Sequence, residues 1–359
     1  MKRLAICADG TWNVRDQVDK TTGLRRPTNV TKVARAILTR GGAGDTAVTQ
    51  IVVYHEGIGT GSGLDKYTGG AFGDGIEANI RDLYRSIVYN FDAGDELFFF
   101  GFSRGAFTVR ALIGFMNAVG ILQKGDDYWL PELYGCYQQG KRPGSPEWAN
   151  AMRGLEHPVL PCPSIKFVGV WDTVGALGAP GFLGQLLKRD KYAYLDVSLN
   201  EHIEHAYQAL AVNERRKPFA PSIWVRPNGW DGTIEQAWFP GFHSDVGGGE
   251  HRDGLANQAL HWIVDRAEKH GLAFDGEFLS YYKPCYNGDM HDSMSNMYRV
   301  LGPIDRTMGL GAAELPHTCA VDRMNDPTCQ YSHEGLTQLI AAHPGQMYET
   351  TRLPTRSTC

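Results

Sequence analysis

Long hydrophobic runs are missing from this sequence. Its apolar stretches, Leu97–Phe100 among them, stop far short of the roughly 20 residues a bilayer-spanning helix needs. The apolar centre of a signal peptide is missing too, because Met1-Lys-Arg-Leu-Ala-Ile-Cys-Ala-Asp turns polar after a few residues. Excess positive charge is absent: 35 Lys and Arg stand against 40 Asp and Glu, a formal net charge of −5. No overall field draws in nucleic acid or anionic lipid, so no nucleic-acid partner is expected. The seven cysteines form no Cys-x-x-Cys pair. They read as reduced thiols of a protein made in the cytoplasm, with no zinc site. Internal repeats and low-complexity segments are absent as well.

What is present is an ordinary globular composition, 42% hydrophobic and 21% charged over 359 residues, long enough for a large core. One stretch organises it. Leu97–Phe100 reads as a buried strand, Gly101-Phe102-Ser103-Arg104-Gly105 follows, and Ala106, Val109, Leu112, Ile113 and Met116 then recur at helical spacing. Strand, sharp turn and helix are the context of the Gly-x-Ser-x-Gly nucleophile elbow. Such a turn forces Ser103 into strained backbone angles and leaves no room for side chains at Gly101 and Gly105. Arg104 supplies the first N–H of the helix, a candidate donor to an oxyanion.

Along the chain, Leu4–Ala8 reads as a first strand running into Asp9-Gly10-Thr11-Trp12-Asn13. Asp-Gly-Thr at this place is also found in haloacid-dehalogenase phosphatases. Those need a nucleophilic Asp two residues earlier, where this chain has Cys7. In an α/β-hydrolase the loop after an early strand gives the second oxyanion N–H, and Gly10 or Thr11 is the candidate, with Asp9 in support. Thr28-Asn29 caps a helix, and Ile51–Tyr54 is the second strand. The glycine-rich loop that follows ends without the Gly-Lys-Ser/Thr of a phosphate loop. It reads as the border of a cleft, with Tyr67 and Phe72 on an apolar rim and a helix from Glu77 to Phe91 beyond. Residues 123–162 read as an insertion and Ile165–Trp171 as a strand ending on Asp172. The stretch 176–195, with Phe182 and Leu183, reads as a lid. A helix is expected from Ser198 or Asn200 with Ile203, Ala206, Tyr207, Leu210 and Ala211 inward. Ile234–Phe239 then forms a last strand before His243, and another helix carries Ala256, Leu260, Ile263, Val264 and Ala267 on one face. The expected fold is α/β, α/β-hydrolase-like: a mostly parallel sheet with helices on both faces and loop or helical insertions. Residues 1–275 form the catalytic domain and 276–359 an extension packed on it.

Reactive groups gather at the carboxyl ends of parallel strands. Ser103, Asp172 and His243 stand at such ends, in the order Ser…Asp…His of α/β-hydrolases. Serine needs a base to take its proton, histidine is that base near neutral pH, and a carboxylate fixes the imidazole tautomer. His291 is the rival base, and Asp245 a rival orienting acid or support. His243, Asp245, His251 and Asp253 lack metal-ligand periodicity, so no metal is expected, and no cofactor either.

Gly-Phe-Ser-Arg-Gly-Ala at 101–106, Asp-Gly-Thr-Trp-Asn at 9–13, Trp-Asp-Thr-Val-Gly at 171–175 and Phe-His-Ser-Asp-Val-Gly-Gly-Gly at 242–249 resemble the α/β-hydrolase catalytic domain of type VI secretion phospholipase effectors. That domain also occurs in many bacterial and fungal proteins of unassigned role. The resemblance implies a Ser-Asp-His lipase or phospholipase working through an acyl-enzyme, with Ser103, Asp172 and His243 as the triad. Trp12, Tyr67, Phe72, Phe182 and Leu183 are the candidate substrate rim. It further implies a lipid or other ester substrate and peripheral membrane contact. For an effector it implies delivery by a secretion system without a cleavable signal, and a secretion or immunity partner. The alternatives are an intracellular esterase for small soluble esters and a binding or scaffold protein that keeps the fold without turnover.

Overall fold

The first strand shows how the sheet is buried on both faces. Leu4, Ile6 and Ala8 enter one apolar cluster while Ala5 and Cys7 enter another, the alternation a pleated strand imposes. The nucleophile strand repeats it, with Leu97 and Phe99 on one side and Phe98, Phe100 and Phe102 on the other. A computed structural model describes residues 1–11, 13–19, 22–42, 44–57, 69–175, 192–294, 298–299 and 302–351, with backbone alone at 45 and 69–74.

In chain order the first half holds β1 (Arg3–Ala8), α1 (Asn29–Ala36), β2 (Arg40–Gly41), β3 (Val48–His55), α2 (Gly69–Asn90), β4 (Glu96–Phe102), α3 (Arg104–Val119), α4 (Leu130–Gln138) and α5 (Pro146–Ala151). The second half holds β5 (Ile165–Trp171), β6 (His205–Ala211), β7 (Thr233–Phe239), α6 (His243–Gly247), α7 (Gly254–Lys269), α8 (Gly276–Ser280), β8 (Glu314–Pro316), α9 (Thr318–Asn325) and α10 (Glu334–Ala342). The strands form one sheet in the order β2-β3-β1-β4-β5-β6-β7-β8. Every neighbouring pair is parallel except β2 with β3. Apolar side chains of α2, α3 and α4 cover one face, and those of α1 and α7 the other. This is the α/β, hydrolase-like architecture expected. The chain runs from β1 outward to β3, then returns to lay β4 on the other side of β1. That reversal opens a crevice at the carboxyl ends of β1 and β4, where open α/β sheets bind ligands.

Four expectations change. The helix expected after Ser198 is β6, a strand. It lies between β5 and β7 and is buried along nearly its whole length, so it lacks the polar alternation that separates strand from helix. β7 is not the last strand, because β8 of the extension pairs with it through Gln236↔Glu314, Ala237↔Leu315 and Trp238↔Pro316. Three residues are too few to show a period. The helix expected from Glu77 begins at Gly69, since its first turns are glycine-rich and carry no apolar stripe. The cysteines are not all thiols: Cys7, Cys136, Cys162, Cys319 and Cys329 are free, while Cys285 is disulfide-bonded, a pairing no local spacing announces. Of the stretch read as a lid, 176–191 lie outside the described residues, and at its end Tyr192 and Leu195 are buried in the core.

Candidate active site

Ser103 sits between β4 and α3 with φ 57 and ψ −121. A non-glycine residue held there stores on the order of 1–3 kcal/mol of strain. The turn is as tight as the glycines suggested. A Cβ on Gly101 would lie 2.6 Å from the Ala106 Cα, and one on Gly105 2.2 Å from the Ala8 carbonyl oxygen. Ser103 N–H donates to the Trp171 carbonyl at 3.0 Å, and Val174 N–H donates to the Ser103 carbonyl at 3.3 Å. These bonds fix the elbow to the end of β5. The Ser103 hydroxyl makes no capping hydrogen bond to α3.

Asp172 follows β5 directly, also at positive φ (41). His243 opens α6 just past the end of β7. Although β6 separates their strands, His243 Nδ1 and Asp172 Oδ2 meet at 2.5 Å. The imidazole packs on the Phe102 ring at 4.6 Å and against the Phe219 edge at 5.1 Å. Phe102 immediately precedes Ser103, so His243 lies alongside the elbow. Asp172 is fully buried and accepts three further bonds, from Ala211 N–H at 3.0 Å and from Arg306 at 2.6 and 2.9 Å. Burial alone would raise its carboxyl, but the Arg306 charge and the His243 bond outweigh it and hold Asp172 below the usual carboxylate range. Burial lowers His243 from its ordinary value although Asp172 pulls the other way, which favours the neutral imidazole, the form able to accept a proton.

The other sequence-selected residues divide. Asp9 is buried, and its carboxylate is taken up by the residues around it. Its Oδ2 accepts from Thr28 Oγ1 at 2.6 Å, Thr31 Oγ1 at 3.0 Å and the Tyr54 hydroxyl at 2.7 Å. Its Oδ1 accepts the Gly10 N–H at 2.7 Å. The Gly10 amide is therefore committed to Asp9, which corrects its candidacy as an oxyanion donor and leaves Thr11. Gly10 still borders the elbow, since a Cβ on it would stand 3.3 Å from the Ser103 Cβ. The buried Thr11 hydroxyl has no hydrogen-bond partner among the described residues. Arg104 is the first residue of α3.

His291 is not brought to Asp172. Its Nδ1 pairs with Asp245 Oδ1 at 2.6 Å, and the bond to Asp245 raises its pKa. Asp245 also accepts the Phe242 N–H at 2.9 Å, so this second pair braces the turn that carries His243. His243, Asp245 and Asp253 are drawn to Asp172, His291 and Lys32 respectively, not to a common point. Asp126, Glu156 and His157 do bring their ligand-type atoms within 4.8 Å of one another. Asp126 is already spent there on the Glu156 and His157 amides and the His157 ring. Trp12, Tyr67, Phe182 and Leu183 lie outside the described residues, and Phe72 is placed only by its backbone in α2.

Two site residues were not read from the sequence. Arg306 grips Asp172 from 134 positions away with no motif around it. Glu214 accepts the His243 N–H at 3.3 Å, the Ser293 hydroxyl at 3.0 Å and Arg216 Nη2 at 2.8 Å. A correct reading of β6 as a strand would have flagged Glu214 as a polar group just past a strand's carboxyl end.

The chain has known relatives. A family model described as type VI secretion system phospholipase effector Tle1-like, catalytic domain, matches residues 2–266. The uncharacterized protein YEL023C of Saccharomyces cerevisiae is 25% identical over an alignment of 238 residues that covers 61% of this chain and 32% of that protein. The chain thus spans about a third of that relative. Among solved structures, the Tle1 effector bound to the VgrG spike of the type 6 secretion system has a TM-score of 0.48 and 15% identity over 79% of this chain and 76% of that one. An uncharacterized protein from Pseudomonas aeruginosa has a TM-score of 0.48 and 16% identity over 94% of this chain and 52% of that one. With most of its length matched by that model, the chain belongs to the Tle1-like family of type VI secretion phospholipase effector catalytic domains.

Proposed function

We propose that this protein is a serine hydrolase of carboxylic esters that acts on phospholipid or a similar lipid ester. The observation that carries the reading is the pairing of a strained Ser103 elbow with the Asp172–His243 contact at the ends of nearby strands. His243, held by Asp172 through Nδ1, takes the Ser103 proton on Nε2 as Oγ attacks the ester carbonyl. The oxyanion is met by the N–H groups of Arg104 and Thr11. His243 then gives its proton to the leaving alkoxide, and water, deprotonated by the same imidazole, frees the acyl group from Ser103. The hydroxyl reaches the imidazole once substrate is bound, since such bonds often tighten only in the complex. No metal or cofactor is needed for these steps.

The lipid part of the proposal rests on the family and on the apolar rim candidates Trp12, Tyr67, Phe72, Phe182 and Leu183. None of the described helices is long and apolar enough to cross a membrane; the contact with lipid in this proposal is peripheral. Synthesis in the cytoplasm, delivery by a secretion apparatus, and a secretion or immunity partner belong to the same proposal. The decisive experiment is labelling with a fluorophosphonate probe followed by peptide mapping. Label on Ser103, lost in Ser103→Ala together with ester hydrolysis, is the expected result. An unlabelled protein of unchanged fold would instead favour a binding or scaffold role.

A further inference from the structure

Asp172 does more than face His243. Arg306 places Nη1 on Oδ1 at 2.6 Å and Nη2 on Oδ2 at 2.9 Å, a two-pronged charge-assisted contact. The same two nitrogens donate to the Ala211 carbonyl at 2.8 Å and the Phe219 carbonyl at 2.7 Å. The guanidinium is thus fixed by four bonds and is buried with its partner, at 6% and 0% exposure. Arg306 comes from the extension, beyond the residues 2–266 that the family model matches. We propose that Arg306 is a positioning residue of the catalytic triad: it locks the Asp172 carboxylate toward His243 and offsets its charge, so that the imidazole stays a neutral base. This rests on the reading of Ser103, His243 and Asp172 as that triad.

The argument is electrostatic. A buried carboxylate with an imidazole as its one partner strongly favours the imidazolium, the wrong form for accepting a proton from serine. Here the oxygen that meets His243 Nδ1 also accepts from Arg306. The guanidinium therefore competes for the charge that would otherwise protonate His243. The other charged groups around His243 largely compensate themselves. Glu214, which meets its backbone N–H, is paired with Arg216 through Nε and Nη2 at 2.9 and 2.8 Å. Asp245, on the same helix, is paired with His291. Arg216 stacks on Phe219 at 3.5 Å. Without Arg306, Asp172 would be the uncompensated charge of the site.

The test measures kcat, KM and the rate of fluorophosphonate labelling across roughly pH 5–9, where histidines titrate. Wild type, Arg306→Gln and Arg306→Lys are compared, with thermal melts to establish folding. Arg306→Gln should move the midpoint of the acid limb up by about one pH unit, a tenfold rise in proton affinity. It should lower kcat with little change in KM. Arg306→Lys keeps a charge but loses the fork, so its midpoint should fall between the two. If the Gln variant does not fold, the Lys variant carries the test by the same upward shift. A folded variant with the wild-type midpoint and a uniformly lower plateau would show a purely structural arginine and overturn the proposal. Wild type that takes no label on Ser103 would refute the triad reading itself, a result distinct from a labelled wild type with unmoved variants.

Discussion

Asp172→Asn should damage this protein twice, and the two losses can be measured separately. Asp172 accepts from Ala211, Arg306 twice and His243. The amide can keep the Arg306 and Ala211 bonds to one oxygen, but it turns a donor toward His243 or withdraws an acceptor from Arg306. Imidazole then settles in the wrong tautomer, and turnover should fall on the order of 10⁴-fold, as for the equivalent change in other triads. Stability should fall as well. The Arg306–Asp172 pair is fully buried, at 2% and 0% side-chain exposure. Removing one charge strands the other, which costs about 3–5 kcal/mol in such pairs and should lower Tm by several degrees. The pH dependence has a definite sign. The folded-state pKa of Asp172 is depressed, so its contribution is fully present above the unfolded value of about 3.9 and is lost as pH falls through the folded value. The Tm gap between wild type and variant should therefore stay constant through the neutral range and close only in strong acid. The assay pairs ester turnover with thermal melts at several pH values. A variant that melts with wild type at neutral pH, or retains a tenth of its turnover, would refute the account of this site.

His243→Ala should abolish turnover, and His291→Ala should be milder, because His291 touches Asp245 and not Asp172; ester turnover of the two variants decides, and the reverse ranking would make the late histidine the base. Asp245 raises the His291 pKa, so the stability its charge adds should be present in mild acid and fade as pH rises through the folded value; melts of His291→Ala against wild type check this. For substrate, acyl esters of increasing length should show rising kcat/KM, with each buried methylene worth about 0.8 kcal/mol and four carbons on the order of a hundredfold. A flat or falling series would favour a small soluble ester.

The parts of this site that were legible in the sequence are those whose local pattern and chemistry coincide. Ser103 was legible because a buried strand, two glycines and an amphipathic helix meet within a few residues, and only a sharp turn satisfies all three. Asp172 and His243 were legible because each is a polar group at or just past the end of an apolar strand, with glycine a few residues further on. Their contact was not, since β6 lies between their strands and its apolar run reads equally as helix. That ambiguity hid Glu214 too, one turn of chain past the strand end. Arg306 was hidden for a different reason. A buried guanidinium is stable only where several acceptors converge, and here they come from Asp172, from Ala211 at the end of β6 and from Phe219 in the loop after it, all far in sequence from Arg306. No window of sequence contains that convergence. Asp172, the carboxylate of the proposed triad, has a strong local signal yet depends on that convergence: with a neutral His243 as its one side-chain partner, its buried charge would carry a desolvation cost that no opposite charge offsets.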